Sequence, residues 1–135
     1  MANWTQEGSN YALTQLAKGG IIAADTLYLG LATAAPVAGS TLATISEHTT
    51  VGGYGRKQVT SANSNISAGG VLTMGAAVTW GTGITLTSAT HWFLCTSASG
   101  TAGKLIAWGA LSATRSLTTA DSLTEQISGS GISIS

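Results

Sequence analysis

The sequence predicts a mainly β chain, an antiparallel β-sandwich of jelly-roll kind behind one short N-terminal helix, in a single domain spanning residues 1–135. Three observations point there. From Asp25 onward, apolar and polar residues alternate with the period of two that marks a half-buried strand. Glycine-bearing breaks interrupt that pattern at short intervals, at Gly52-Gly53, residues 67–70, Gly81-Thr82-Gly83 and residues 97–103, as tight reversals require. Helical spacing is confined to the first segment, and a run of short strands with no helices between them favours two packed antiparallel sheets.

Residues 1–24 are expected to form an arm and the helix. Tyr11, Ala12, Leu13, Leu16 and Ala17 recur at helical spacing, and Gly19-Gly20 supplies a stop after Lys18. Thr5 or Ser9 is the candidate N-cap. Gly8 argues for the later start, because a glycine inside a helix costs about 1 kcal/mol relative to alanine; the helix is placed somewhere within residues 5–18. Leu27, Leu29 and Leu31 then share one face of the first strand, and Pro36 ends it and opens a loop through Ser40. Further strands are expected over residues 54–61, 71–74, 77–80, 84–87, 91–96, 105–111, 122–128 and 132–135. Trp80, Trp92 and Trp108 lie in apolar strand contexts and are expected to fill the core, each needing one partner for its indole N–H. Trp4, just ahead of the helix, is expected to anchor it to the sheet or to a neighbouring subunit.

Composition narrows the function. Charged residues make up 7% of the chain, against about 25% in an ordinary domain. Five basic and five acidic residues cancel, and the mean hydropathy of +0.31 argues against disorder. Arg56-Lys57 is the sole adjacent basic pair, too little to neutralise a nucleic-acid backbone or an anionic membrane surface. Apolar stretches fall far short of the roughly 20 residues that cross a bilayer. The N-terminus lacks a secretory pattern, and the lone Cys95 cannot form an internal disulfide, so synthesis in a reducing cytoplasm is expected. The surface must be neutral and rich in hydroxyls. With little electrostatic repulsion between copies, such a surface suits a protein that lives packed against neighbours.

Few residues could carry chemistry. Asp121 and Glu125 are the one close pair of carboxylates, but Asp121 falls in an evident turn, where capping is its ordinary role. His91, Phe93 and Cys95 would share a strand face, which allows a metal site or a thiol nucleophile to be imagined; the supporting ligands are missing, and a buried cysteine beside a partly exposed histidine is the simpler reading. Glu47 neighbours His48, but adjacent strand residues face opposite ways, and no Gly-x-Ser-x-Gly elbow is present. The cluster from Gly52 to Lys57 lacks the Gly-Lys-Ser/Thr ending of a phosphate loop and reads as a turn entering a strand. No cofactor, metal or catalytic residue is expected.

The ordered motifs carry a resemblance. The N-terminal helix, then Leu27-Tyr28-Leu29-Gly30-Leu31-Ala32-Thr33-Ala34-Ala35-Pro36, then Glu47, then Gly52-Gly53-Tyr54-Gly55-Arg56-Lys57-Gln58-Val59-Thr60 resemble a family of small phage and prophage virion proteins, often labelled tail fibre proteins. Val78-Thr79-Trp80, the strand from Ala89 to Cys95 and the stretch from Leu105 to Leu111 extend the likeness over most of the chain. The family often has His where this chain has Ala32 and Asp where it has Ala35. The resemblance implies that Tyr54 and Arg56 hold the loop after Glu47, through a Glu47–Arg56 ion pair.

Together these readings lead to a non-enzymatic virion protein. The expectation is a capsid decoration, or cement, protein that resembles others of this size, binds the major capsid protein lattice and sits on the capsid surface. A small homo-oligomer is expected, a trimer being suited to the three-fold positions of an icosahedral shell. Trp4, Glu47, Tyr54 and Arg56 are the structural and assembly candidates. Two alternatives belong to other classes: a tail tip, fibre or adhesion module that binds a partner or a host glycan, and a small hydrolase or thiol enzyme resting on His91 and Cys95.

Overall fold

A computed structural model describes residues 2–17, 26–49, 52–59, 65–66, 71–73, 78–125 and 132–133. Its elements in chain order are β1 (Ala2–Trp4), α1 (Gln6–Ala17), β2 (Leu27–Ala32), β3 (Lys57–Val59), β4 (Asn65–Ile66), β5 (Val71–Thr73), β6 (Val78–Trp80), β7 (Leu86–Cys95), β8 (Leu105–Leu117), β9 (Leu123–Glu125) and β10 (Ile132–Ser133). The chain is mainly antiparallel β with one N-terminal helix. A five-stranded sheet in the order β1-β8-β7-β2-β3 dominates, beside sheets of three strands (β10-β5-β4) and two (β6-β9). The expected strands at residues 60–61, 74, 77, 126–128 and 134–135 run beyond the described residues.

The large sheet carries apolar side chains on both faces. Leu29 and Leu31 of β2, Trp92 and Leu94 of β7, and Ala107 and Leu111 of β8 form one core, which Val78 and Trp80 of β6 and Leu123 of β9 complete. Ala32, Phe93, Cys95 and Leu105 form the other, closed by Leu42 from the loop after β2. The period of two in β2 thus sends Leu29 and Leu31 one way and Ala32 the other. Burying each leucine this completely stabilises the fold by about 2 kcal/mol.

Glycines make room for the aromatics. Gly30 pairs directly with Phe93 across β2 and β7, and a Cβ at Gly30 would lie 2.3 Å from the Phe93 ring. Gly109 and Trp92 stand in the same relation across β7 and β8, with a Cβ 2.5 Å from the indole. A strand glycine here marks a ring lying flat over its backbone. Trp80 and Trp92 are buried as expected, and the Trp80 indole N–H donates to Gly55 O at 2.9 Å. Trp108 is half-buried against the second core, and its indole N–H has no hydrogen-bond partner among the described residues, contrary to expectation.

The structure corrects the reading of the first segment. Thr5, not Ser9, caps the helix: its Oγ1 accepts from Gly8 N–H at 2.9 Å and donates to the carbonyl oxygen of Leu105. Gly8 lies inside α1 because a Cβ there would sit 2.0 Å from Ile106 O. Packing against β8 therefore overrides the propensity argument. Ala2–Trp4, expected as an arm, form a strand paired with residues 107–109. Trp4 pairs with Ala107 and is half-buried on the first core.

Three more elements differ from expectation. The segments expected over residues 84–87 and 91–96 are one strand, β7, which passes Ser88 at φ 53° through a shift in its register with β8. A bulge of this kind re-aims side chains without ending the strand. β8 runs on to Leu117 as its partner, and β4 was not foreseen at all.

Candidate functional site

The segment after β2 turns back along it. Thr33 N–H donates to Ser46 O, His48 N–H donates to Leu31 O, and Ala32 bridges Glu47. Gly52 and Gly53 then reverse the chain at φ 88° and 80°, a conformation that costs a glycine nothing. That reversal returns Tyr54 and Arg56 to Glu47, nine residues before Arg56.

Arg56 grips Glu47 with both arms of its fork. Its Nε donates to Glu47 Oε1 at 2.8 Å and its Nη2 to Oε2 at 2.6 Å. Tyr54 OH donates to Oε1 at 3.3 Å and accepts from Leu31 N–H at 2.8 Å. The guanidinium also reaches the β7–β8 hairpin, with Nη1 donating to Ser97 O at 2.8 Å and Nη2 to Gly100 O at 2.9 Å. Its carbon lies 5.4 Å from the centre of the Phe93 ring, a cation–π distance. The Arg56 side chain is 2% exposed and that of Glu47 24%.

Electrostatics hold Arg56 charged and Tyr54 neutral. Burial by itself would lower the Arg56 pKa, but the hydrogen bonds and charge of Glu47 outweigh it and the net direction is up. Burial pushes the Tyr54 phenol far above its ordinary range, and the Glu47 carboxylate adds to the shift. A phenol held neutral can keep donating to the carboxylate. The cluster is built to fasten backbone, since its free donors end on carbonyl oxygens of its own chain.

The other polar candidates are committed elsewhere. His48 is buried, with Nε2 accepting from Thr87 N–H at 2.8 Å and Nδ1 at 3.0 Å from Thr49 O, the pattern of a neutral ring protonated at Nδ1. Its ring meets Tyr54 edge-on at 5.4 Å, while Glu47 is held by Arg56, so no Glu–His dyad forms. Asp121 caps its turn by accepting from the N–H and hydroxyl of Thr118. Glu125 lies in β9, opposite Val78. No group of three or more His, Cys, Asp or Glu side chains suited to a metal occurs among the described residues.

His91 and Cys95 share β7 but not a site. Four strand steps set them roughly 13 Å apart, with the buried Phe93 ring between. Cys95 is fully buried, its Sγ is 3.3 Å from Ser97 O, and burial pushes its thiol pKa up. Such a thiol reacts only when the fold opens. Labelling of Cys95 by a disulfide reagent is therefore expected to run at the opening rate and to jump in denaturant; prompt labelling of the native protein would contradict the packing described.

His91 stacks edge-on against Trp108 at 5.7 Å, and desolvation lowers its pKa. A base with a depressed folded pKa contributes stability that is complete above its unfolded pKa, about 6.5, and is lost as the pH falls below it. The urea midpoint should thus decline slightly between about pH 7 and pH 5, and His91→Gln should flatten that decline. An equal decline in both proteins would remove His91 as its source.

One carboxylate was missed as an organising residue. Glu7 Oε2 accepts from Leu105 N–H at 2.9 Å, and Oε1 pairs with Lys104 Nζ at 2.9 Å, so it ties α1 to the start of β8. Its place in the first helical turn was the available signal.

Fold and cluster together define a nearly uncharged antiparallel β domain whose ion pairs brace its own loops. Over residues 3–134 the sequence matches the family described as Podophage GP4 fiber I protein gp80, and the chain belongs to that family. It is thus a phage structural protein of the virion, in agreement with the resemblance its motifs carry. A search of curated proteins finds no match. No helix among the described residues is long and apolar enough to cross a membrane.

Proposed function

We propose that this chain is a non-enzymatic component of the particle's exterior that decorates the capsid, binding the major capsid protein lattice and stabilising it as a small homo-oligomer. The commitment of Arg56 carries this reading. The Arg56 side chain, 2% exposed, gives its hydrogen bonds to Glu47 and to two loop carbonyls, so this buried ion pair serves to shape a surface. Neutral charge and a surface of Ser, Thr, Ala and Gly support close packing against other subunits. Trp4, Glu47, Tyr54 and Arg56 then serve assembly by holding the sheet edge and the loops in shape.

A second reading has its own observation. The family description names a fibre protein, which favours a tail or fibre component that binds a partner or a host glycan. Copy number separates the two. Quantitative mass spectrometry of purified particles should give a ratio to the major capsid protein that approaches one for a lattice-wide decoration. A ratio far below that favours the fibre reading, and absence from particles removes both. Particles lacking the protein should also release DNA at a lower temperature if it is a cement.

A further inference from the structure

Helix α1 and the turn after β2 enclose a cleft. Gln6 N–H donates to Ala38 O at 2.8 Å, which seats the first turn of α1 beside residues 39–41. That second wall is itself held shut, with Ser40 N–H donating to Val37 O and Val37 N–H to Ser40 Oγ, both at 2.9 Å. Between the walls lies a space of about 510 Å³, lined by Gln6, Glu7, Asn10 and Tyr11 of α1, by residues 39–41 and by Lys104. Its size is that of a small-molecule site. The four helix residues line it together because 6 and 10, and 7 and 11, are each one turn apart on the helix surface. Both walls are fixed by hydrogen bonds in the free protein, so binding has little left to order.

The lining selects one kind of ligand. Lys104 Nζ and Glu7 Oε1 are already paired at 2.9 Å, so the cleft carries no net charge and gives an ion no advantage. An apolar molecule would strip water from amide, hydroxyl and ionic groups and return no hydrogen bonds. A peptide chain docks along a sheet edge or in an apolar groove, and a polar helix face beside a turn offers neither. What the cleft does offer is donors and acceptors side by side: the exposed Gln6 amide, the Thr41 hydroxyl and the Glu7–Lys104 pair. Tyr11 adds an aromatic surface, its ring backed by the first core. The Tyr11 hydroxyl is buried and has no hydrogen-bond partner among the described residues, an unmet polar group in the wall of the cleft. Neighbouring hydroxyls that both donate and accept, on a ring with a C–H face, complement that set. The geometry points to this cleft as the binding site for a neutral saccharide, with one sugar ring seated between Gln6, Tyr11 and residues 39–41. The inference gives the second reading above a site and a ligand, and it rests on that reading for the sugar's source, a polysaccharide of the host surface.

Amide NMR of the purified protein with glucose, galactose, mannose and N-acetylglucosamine tests this. At least one sugar should shift the amides of residues 6–11, 39–41 and 104 saturably, while those of Thr85 and Thr87, in the separate cleft around Glu47 and His48, stay in place. Gly39→Leu adds a side chain where a Cβ meets nothing within 4 Å, and Gln6→Ala removes the exposed amide. Each should raise the Kd about tenfold or more, with a melting curve matching the wild type. Tyr11→Phe should also weaken binding without loss of stability, because its hydroxyl gives up no hydrogen bond in the free protein. Glucuronic acid, which carries a charge, should bind more weakly than glucose. No shift with any of the four sugars, or shifts confined to Thr85 and Thr87, overturns the inference while the proposed function stands. So does a wild-type Kd in both Gly39→Leu and Gln6→Ala. Sugar shifts at residues 6–11 and 39–41 by a chain absent from particles would uphold the site and overturn the reading that supplies its source.

Discussion

Gly8→Ala should destabilise the protein by about 3 kcal/mol, although helix propensity alone predicts a gain of about 1 kcal/mol. The added methyl would lie 2.0 Å from Ile106 O and 2.7 Å from its carbonyl carbon and Cα. These are backbone atoms of the central hairpin and cannot swing aside as a side chain can. The same carbonyl accepts from Thr5 N–H at 3.1 Å and lies 3.2 Å from Thr5 Oγ1. Moving α1 away would therefore also loosen its cap, worth about 1 kcal/mol. Urea unfolding of Gly8→Ala beside Ser9→Ala, one position along, measures the effect. A Gly8→Ala protein as stable as wild type would mean that α1 does not rest on β8 as described.

Removing Glu47 is the other large effect. Glu47→Ala leaves the Arg56 guanidinium buried without its counter-charge, a change that costs about 3–5 kcal/mol where a buried pair is broken on one side. Because the Glu47 side chain is 24% exposed, water can partly replace it, and about 3 kcal/mol is expected. Arg56→Met with Glu47→Gln removes both charges and should cost less than the two single changes summed. Hydrogen exchange supplies the second readout. Amides of residues 97–103 should exchange faster in both Arg56→Met proteins, while those of β2 stay protected. Additive costs and an unchanged loop would show that the pair is not coupled to the hairpin.

What the sequence revealed and what it hid divide by the range of the interaction. Leu27, Leu29 and Leu31, the turn glycines and the helix between Thr5 and Gly19 were legible, because period and punctuation are local. β7 was split because Ser88-Ala89-Thr90 lacks the alternation of its flanks, and the shift that carries the strand past it depends on β8. β1 has three residues and β4 two, too few for any period to register. Ser9 was favoured as the cap because the contact that demands Gly8 comes from Ile106, 98 positions later by subtraction of the residue numbers. In the cluster, the Glu47–Arg56 pair was foreseen through the family resemblance alone, not from composition or period. The grip on Ser97 and Gly100 was not, because every residue carries a carbonyl and composition cannot say which one a guanidinium will find.

The pairing of β1 with residues 107–109 also sets a timetable for biosynthesis. Ala2–Trp4 leave the ribosome well before β8, their strand partner in the large sheet among the described residues, which is made about a hundred residues later, some 5–20 seconds at bacterial elongation rates. Through that interval Trp4 has no β8 to rest on, and Thr5 has no Ile106 carbonyl to receive its N–H. The β7–β8 hairpin, whose halves are close in sequence, can form as soon as it emerges and offers the template on which the older strand docks. Closure of the sheet is thus among the last events of folding, and a nascent chain cut short before β8 lacks the strand that joins β1 to the rest of the large sheet.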